Sequence, residues 1–261
     1  MKNKVAIVGM GYVGTGMLKI FPDAVQFDEP RGIGTREEVN ESLLAIVCVP
    51  TNSTESGALD ISIVEDVVSW LETPLILVKS ALNPGTTDRL MKETGKRIIV
   101  SPEYMGEGNY YTPPKYPDPK NPLSHGFVIL GGDSKDCSDV ADLFIPKMGP
   151  TTRLRFMTAL EAEIVKLAEN SWGQMKVSFA NELRELCEAS GANWHQVREG
   201  WVDDPRVELM HTAVFKEKRG FDGKCWPKDG KAFVAFAEQV GCEPLLMKAV
   251  IEANKRRVKD V

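Results

Sequence analysis

Val5-Ala6-Ile7-Val8, running straight into Gly9-Met10-Gly11-Tyr12-Val13-Gly14, is the stretch on which the reading of this chain turns. Four apolar residues make a short buried strand, and glycines at this spacing allow a tight turn and close approach of a pyrophosphate to the N-terminus of the helix that follows. Asp28 ends the next strand-like run, 25–27, roughly 20 residues after the first glycine, where a carboxylate can accept from both ribose hydroxyls. The same negative charge repels a 2′-phosphate, so the pattern points to NAD rather than NADP.

Outward from that turn, short β-branched runs alternate with helix-like stretches, as βαβ units require. Strands are expected at 5–8, 25–27, 45–49, 75–78, 98–100 and 127–130. Helices are expected at 61–71, at 87–92 behind Pro84-Gly85-Thr86, and from Ser134 towards Ile145. The first 155 residues therefore read as an α/β, Rossmann-type doubly wound parallel sheet. From Thr158 to about Ser190 the apolar residues Ile164, Leu167, Val177, Leu183 and Leu186 recur at helical spacing, and Gly191 offers a stop. Residues 156–261 are thus expected to form a second, all-α domain, with further helices at 229–240 and 245–258. Between β-like 98–100 and 127–130, residues 104–124 are rich in Pro, Tyr and Asn and lack periodicity, which marks a loop able to cover a site.

Composition narrows the function. The chain has 261 residues, of which 43% are hydrophobic and 26% charged, enough to bury one large core or two smaller ones. Its 32 Lys and Arg against 37 Asp and Glu leave a net charge of −5, so no basic field is available for nucleic acid. The longest apolar run, 43–49, is far short of the roughly 20 residues a bilayer requires, and neither a leader nor a membrane partner is expected. Five cysteines without a CxxC pair argue for a reducing, cytoplasmic setting. His125, His195 and His211 lack ligand spacing, so no metal is expected.

The most unusual stretch is Gly220-Phe221-Asp222-Gly223-Lys224-Cys225-Trp226-Pro227-Lys228-Asp229. Cys225, between two lysines in a glycine loop opening onto a helix, sits where positive charge and the helix dipole favour thiolate. Local sequence leaves it open whether this thiol is a nucleophile or a packing residue. Cys48, Cys187 and Cys242 read as packing thiols. Lys166 and Asn170, four apart, share a helix face and either hold an oxygen jointly or face solvent. Glu103 and Glu107 follow a strand at the carboxyl end of the sheet, where such folds bind ligands, or are surface acids.

Taken together, in order along nearly the whole chain, these segments resemble the UDP-glucose/GDP-mannose 6-dehydrogenase family. The resemblance is carried by Gly9 to Gly14, Val49-Pro50-Thr51, Lys79-Ser80 with Pro84-Gly-Thr-Thr87, Ser101-Pro-Glu103 to Glu107-Gly108, Glu161-Ala-Glu-Ile-Val-Lys166-Leu-Ala-Glu-Asn170, Phe179-Ala-Asn-Glu182, and Gly220 to Asp229. It implies an NAD site made by Gly9, Gly11, Tyr12, Val13, Gly14, Asp28, Arg31, Pro50, Thr51, Ser80 and Glu107. It makes Cys225 the nucleophile, gives Lys166 and Asn170 the reacting oxygen, has Asp229 orient water and base, and assigns proton transfer and hydrolysis to Glu107 or Glu103. Tyr104, Met105, Arg206, Phe221 and Gly223 would join Lys166 and Asn170 around a nucleotide sugar. The implied reaction oxidises a C6 primary alcohol to a uronic acid through a thiohemiacetal and a thioester on Cys225, in a homodimer paired through the helical domain.

Three departures accompany the resemblance. The chain stops at Val261, where the family usually continues into a second nucleotide-gripping domain. Ala81 stands where a threonine is usual beside the nicotinamide, and Asp222 replaces a glycine. They keep two other functions in view: a two-electron dehydrogenase of a smaller hydroxylated substrate, and a catalytically weak NAD-binding dimer module.

Overall fold

The computed structural model describes residues 5–106 and 118–258. It divides into two compact units, the first containing described residues up to 106 and 118–166, the second 167–258.

The first unit is a seven-stranded sheet. Its strands are β1 (Val5–Val8), β2 (Val25–Phe27), β3 (Leu44–Val47), β4 (Leu75–Val78), β5 (Ile98–Val100), β6 (Phe127–Gly131) and β7 (Arg153–Met157), in the order β2-β1-β3-β4-β5-β6-β7. Helices α1 (Tyr12–Met17), α2 (Arg36–Asn40), α3 (Ser62–Trp70), α4 (Thr86–Thr94) and α5 (Ser134–Met148) belong to it. Side-chain alternation explains the double winding. Ile7, Leu44, Ile46, Leu77 and Ile99 feed one apolar cluster, while Ala6, Val8, Ala45, Val47, Ile76, Val78 and Ile98 feed another, so both faces of the sheet are covered. Each fully buried Ile, Leu or Val in these clusters contributes about 1.5–3 kcal/mol of transfer free energy.

Two features differ from the sequence-based expectation. The sheet is mixed rather than wholly parallel: β5 meets β6 antiparallel through Val100 and Gly131. A parallel return needs a crossover, usually a helix, and the only helical turn among the described residues between these strands is the 3-10 turn Pro122–Ser124. The second difference is β7, whose Arg153-Leu-Arg-Phe-Met157 places charges along an exposed sheet edge and so lacks the apolar signature of the inner strands. The expected boundary at 155/156 falls inside this strand.

Helix α6 (Ala159–Ser190) starts at a capping arrangement in which Glu161 N donates to Thr158 Oγ1 and Thr158 N donates to Glu161 Oε2 at 2.8 Å. Its buried Glu163 accepts from Gly85 N, Thr87 N and Thr87 Oγ1 at 2.5, 2.9 and 2.7 Å, satisfying the N-terminus of α4. The second unit holds the remainder of α6 with α7 (Trp194–Val202), α8 (Trp226–Gln239) and α9 (Leu245–Lys255). Its apolar centre is Phe221, Met247 and Val250, with Met175, Trp226 and Phe233 against them. Helix α8 begins three residues before the expected 229, because Pro227 is tolerated in a first turn whose N–H groups have no intrahelical partner. Among the described residues no helix is long and apolar enough to cross a membrane.

Candidate active site

In the first unit the three motif glycines do three different things. Gly9 adopts φ +91°, and a Cβ on it would stand 2.7 Å from the Cys48 carbonyl oxygen. A Cβ on Gly14 would collide with the Gly9 carbonyl, so α1 rests on β1 only because this side chain is missing. Gly11, the N-cap of α1, has nothing within 4 Å of its Cβ position. Open space at that helix start fits the approach of a dinucleotide pyrophosphate to backbone N–H groups. Val13 is partly buried and packs against the core cluster.

Asp28 reaches back to this turn. Its carboxylate accepts from Met10 N at 2.8 Å and from Arg31 N at 3.3 Å, while Arg31 Nη1 donates to Met10 O at 2.5 Å. Arg31 Nε stands 3.8 Å from Asp28 Oδ2. Each carboxylate oxygen has two lone pairs, so capacity for ribose hydroxyls remains. The loops leaving β3 and β4 are tied together, Thr51 Oγ1 donating to Ala81 O at 2.9 Å and Ser80 Oγ to Val49 O at 2.7 Å. Pro50 stays exposed at their rim. All of these groups lie at the carboxyl ends of β1 to β4, beside the β1/β3 switch point where doubly wound sheets bind ligands.

The segment after β5 is braced by two ammonium groups. Lys79 Nζ donates to Ser101 Oγ at 3.1 Å and Pro102 O at 3.0 Å, and Lys166 Nζ donates to Glu103 O at 2.5 Å while lying 5.5 Å over the Tyr104 ring. Burial pulls the Lys79 pKa down, Glu103 and Cys48 pull it up, and the charge on Lys166 adds to the downward pull. The Glu103 carboxylate accepts from Met105 N, and the Tyr12 hydroxyl donates to Gly106 O. Met105 is buried, and Tyr104 meets Phe127 edge-on at 4.9 Å. Lys79, Glu103, Tyr104, Met105, His125 and Phe127 line one pocket. Burial pushes the Cys48 thiol up to about 12, which makes it the inert packing thiol its strand position suggests.

In the second unit Cys225 is the half-buried N-cap of α8. The loop leading to it turns at Gly220 (φ +71°) and the exposed Gly223 (φ +89°). Phe221 is buried between them, its N donating to Asn254 Oδ1 and its O accepting from Asn254 Nδ2, both at 2.8 Å. Asp229 is 1% exposed, with Asn170 Nδ2 donating to Oδ2 at 2.5 Å and Lys228 Nζ to Oδ1 at 2.6 Å. Asn170 is therefore buried against a carboxylate rather than solvated. This part of the unit offers a thiol at a helix N-terminus beside a buried amide, carboxylate and ammonium, groups suited to nucleophilic addition and proton transfer.

Arg206 is exposed and pairs with Asp204 at 2.6 Å, and Asp222 pairs with Lys218 at 3.0 Å. Glu107 lies outside the described residues. Among those described, no group of three or more His, Cys, Asp or Glu gathers as a metal would require. Asn254 and Gln174, which donates to Trp226 O at 2.6 Å, are the supports that sequence reasoning missed. Asn254 had a signal, a lone amide in the apolar pattern of α9, whereas nothing around Gln174 advertised its partner.

The fold is thus a Rossmann-type, doubly wound sheet unit followed by a helical unit with a cysteine loop. Residues 160–256 match the model of the UDP-glucose/GDP-mannose dehydrogenase family, central domain, the family that the ordered motifs resemble. The UDP-glucose 6-dehydrogenase of Rickettsia bellii is 28% identical over 85% of this chain and 51% of its own length. The UDP-glucose 6-dehydrogenase AglM of Haloferax volcanii is 26% identical over 96% of this chain and 69% of its own. The chain thus spans about half the length of the first of these relatives. A UDP-glucose dehydrogenase structure from Pyrobaculum islandicum shares the fold, with a TM-score of 0.81 at 24% identity over 98% of this chain and 68% of that one.

Proposed function

We propose that this chain performs the NAD-dependent oxidation of the C6 primary alcohol of a nucleotide sugar, of the UDP-glucose or GDP-mannose type, to the uronic acid. The observation that carries the reading is the Cys225 thiol at the α8 N-terminus with Asp229, Asn170 and Lys228 bonded together one turn along. A simple alcohol dehydrogenase has no use for a thiol placed in this way, whereas oxidation beyond the aldehyde does.

When bound, NAD supplies the hydride acceptor; Gly11 at the start of α1 and Asp28 would hold its pyrophosphate and ribose. The chain's own groups do the rest. The Lys166 ammonium, with Asn170, stabilises the oxygen that becomes negative as the alcohol proton leaves. The Cys225 thiolate adds to the aldehyde carbon left when C6 gives up its first hydride to NAD, and the thiohemiacetal, on giving a second hydride to a second NAD, would become a thioester. Water, activated by Glu103 or Glu107 and oriented by Asp229, then releases the acid and returns the thiol. Tyr104, Met105, Arg206, Phe221 and Gly223 are the remaining substrate contacts in this reading. The helical region from 156 onward acts as the pairing domain of a homodimer, a role supported by Trp172, Phe179 and Leu186, spaced seven apart on α6 and 57%, 55% and 63% exposed. Five thiols outside any disulfide fit a reducing, cytoplasmic setting.

The test is NADH formation with a panel of UDP- and GDP-sugars and the corresponding free sugars, with carboxylate measured in the same tubes. Two NADH per acid from a nucleotide sugar, and loss of acid formation in Cys225→Ser, are expected. One NADH per product with activity surviving Cys225→Ser would instead identify a two-electron dehydrogenase, and NAD binding without any turnover a binding module.

A further inference from the structure

One face of α6 holds the first turn of α8 at three points. Asn170, Gly173 and Gln174 stand at i, i+3 and i+4 and so share a face of the helix. Asn170 Nδ2 donates to Asp229 Oδ2 at 2.5 Å. A Cβ on Gly173 would lie 2.6 Å from the Trp226 indole, so the ring rests directly on the α6 backbone. Gln174 Nε2 donates to Trp226 O at 2.6 Å. The same indole meets His211 edge-on at 5.0 Å and Phe221 at 6.0 Å, which encloses it from further sides.

Gln174 is fully buried, and its Oε1 has no hydrogen-bond partner. That oxygen occupies the place a Cβ of Gly230 would take, one helical turn beyond Trp226. An idle buried carbonyl costs stability, so the other end of the amide is where the side chain has its use. What the amide achieves and a thioether cannot is a bond to the Trp226 carbonyl. Trp226 directly follows Cys225, the N-cap of α8, so what holds Trp226 against α6 also fixes the start of the helix from which the thiol projects.

We propose that Gln174 is a positioning residue for the Cys225 thiol: by holding the Trp226 carbonyl against α6, it sets the direction in which Cys225 leaves the start of α8. The proposal rests on the reading of Cys225 as a nucleophile and deepens it, because it moves the machinery one residue further from the chemistry.

Gln174→Met removes the donor and keeps the volume. Alkylation of Cys225 by iodoacetamide, followed peptide by peptide by mass spectrometry, is expected to slow about tenfold, because a thiol turned from the helix N-terminus loses thiolate character and access. Alkylation of the exposed Cys242 in the same sample is expected to hold. On a nucleotide sugar that the unaltered chain oxidises, kcat falls by a similar factor while KM for NAD stays. Gln174→Asn, whose amide is one methylene too short to reach, gives the same pattern and serves where the methionine variant does not fold. Unchanged Cys225 alkylation in the folded variant overturns the proposal, as does an equal change at Cys225 and Cys242. Alkylation needs no substrate, so slowed Cys225 labelling with every nucleotide sugar silent keeps the role of Gln174 and rejects the substrate reading instead.

Discussion

At His211 the backbone takes φ +66°, a left-handed conformation that few side chains tolerate, and the imidazole lies against Trp226. Burial, with help from the charge of Lys176 and against that of Glu208, lowers its pKa from 6.5 to about 4. A base with a depressed folded pKa is neutral in the fold while the unfolded chain binds the proton. The stability it carries is therefore complete above pH 6.5 and is lost as pH falls towards 4. His211→Asn, which tolerates the same backbone and does not titrate, is expected to flatten the acid limb of a urea-midpoint profile across that window. An unchanged limb would place the acid sensitivity elsewhere. Residues of this kind divide by how far their reason lies along the chain. Gly9, Gly14 and Asp28 were legible because they belong to one strand-turn-helix-strand motif of fixed spacing. Gln174 and Asn254 were not, because the backbone atoms they hold lie 52 and 33 residues away.

Among the elements, α4 shows how a helix depends on a distant one. Its N-cap, Gly85, has no side chain to offer, and the donors of its first turn that lack an intrahelical partner are met by Glu163 of α6. Glu163→Ala would strand two backbone N–H groups and the Thr87 hydroxyl, and is expected to cost about 2–4 kcal/mol, since each unsatisfied buried donor costs roughly 1–3 kcal/mol before relaxation. Chemical denaturation at neutral pH measures it, and a loss below about 1 kcal/mol would mean that water replaces the carboxylate. The inner strands were readable because both their faces are buried and their apolar runs are unbroken. Strand β7 and helix α7 were missed for the opposite reason: the first carries alternating arginines, and the second buries only Trp194.

Over the whole molecule, the exposed Trp172, Phe179 and Leu186 are large apolar groups at two-turn intervals, the kind of stripe a second copy of the chain would cover. Phe179→Glu is expected to shift a dimer towards monomer in sedimentation analysis, and an unchanged mass would remove this face from the pairing reading. What the sequence by itself determined is the glycine turn after β1, the covered inner strands, the long helix and the place of the cysteine loop, because glycine spacing, apolar alternation and helical periodicity express constraints between near neighbours. Only the tertiary structure decided that β6 enters antiparallel, that Asp229 is buried on Asn170, and that Gln174 and Asn254 hold the loop around Cys225. Those are pairings of single polar atoms across long sequence separations, where one buried hydrogen bond selects the partner and no local pattern records which atom it will be.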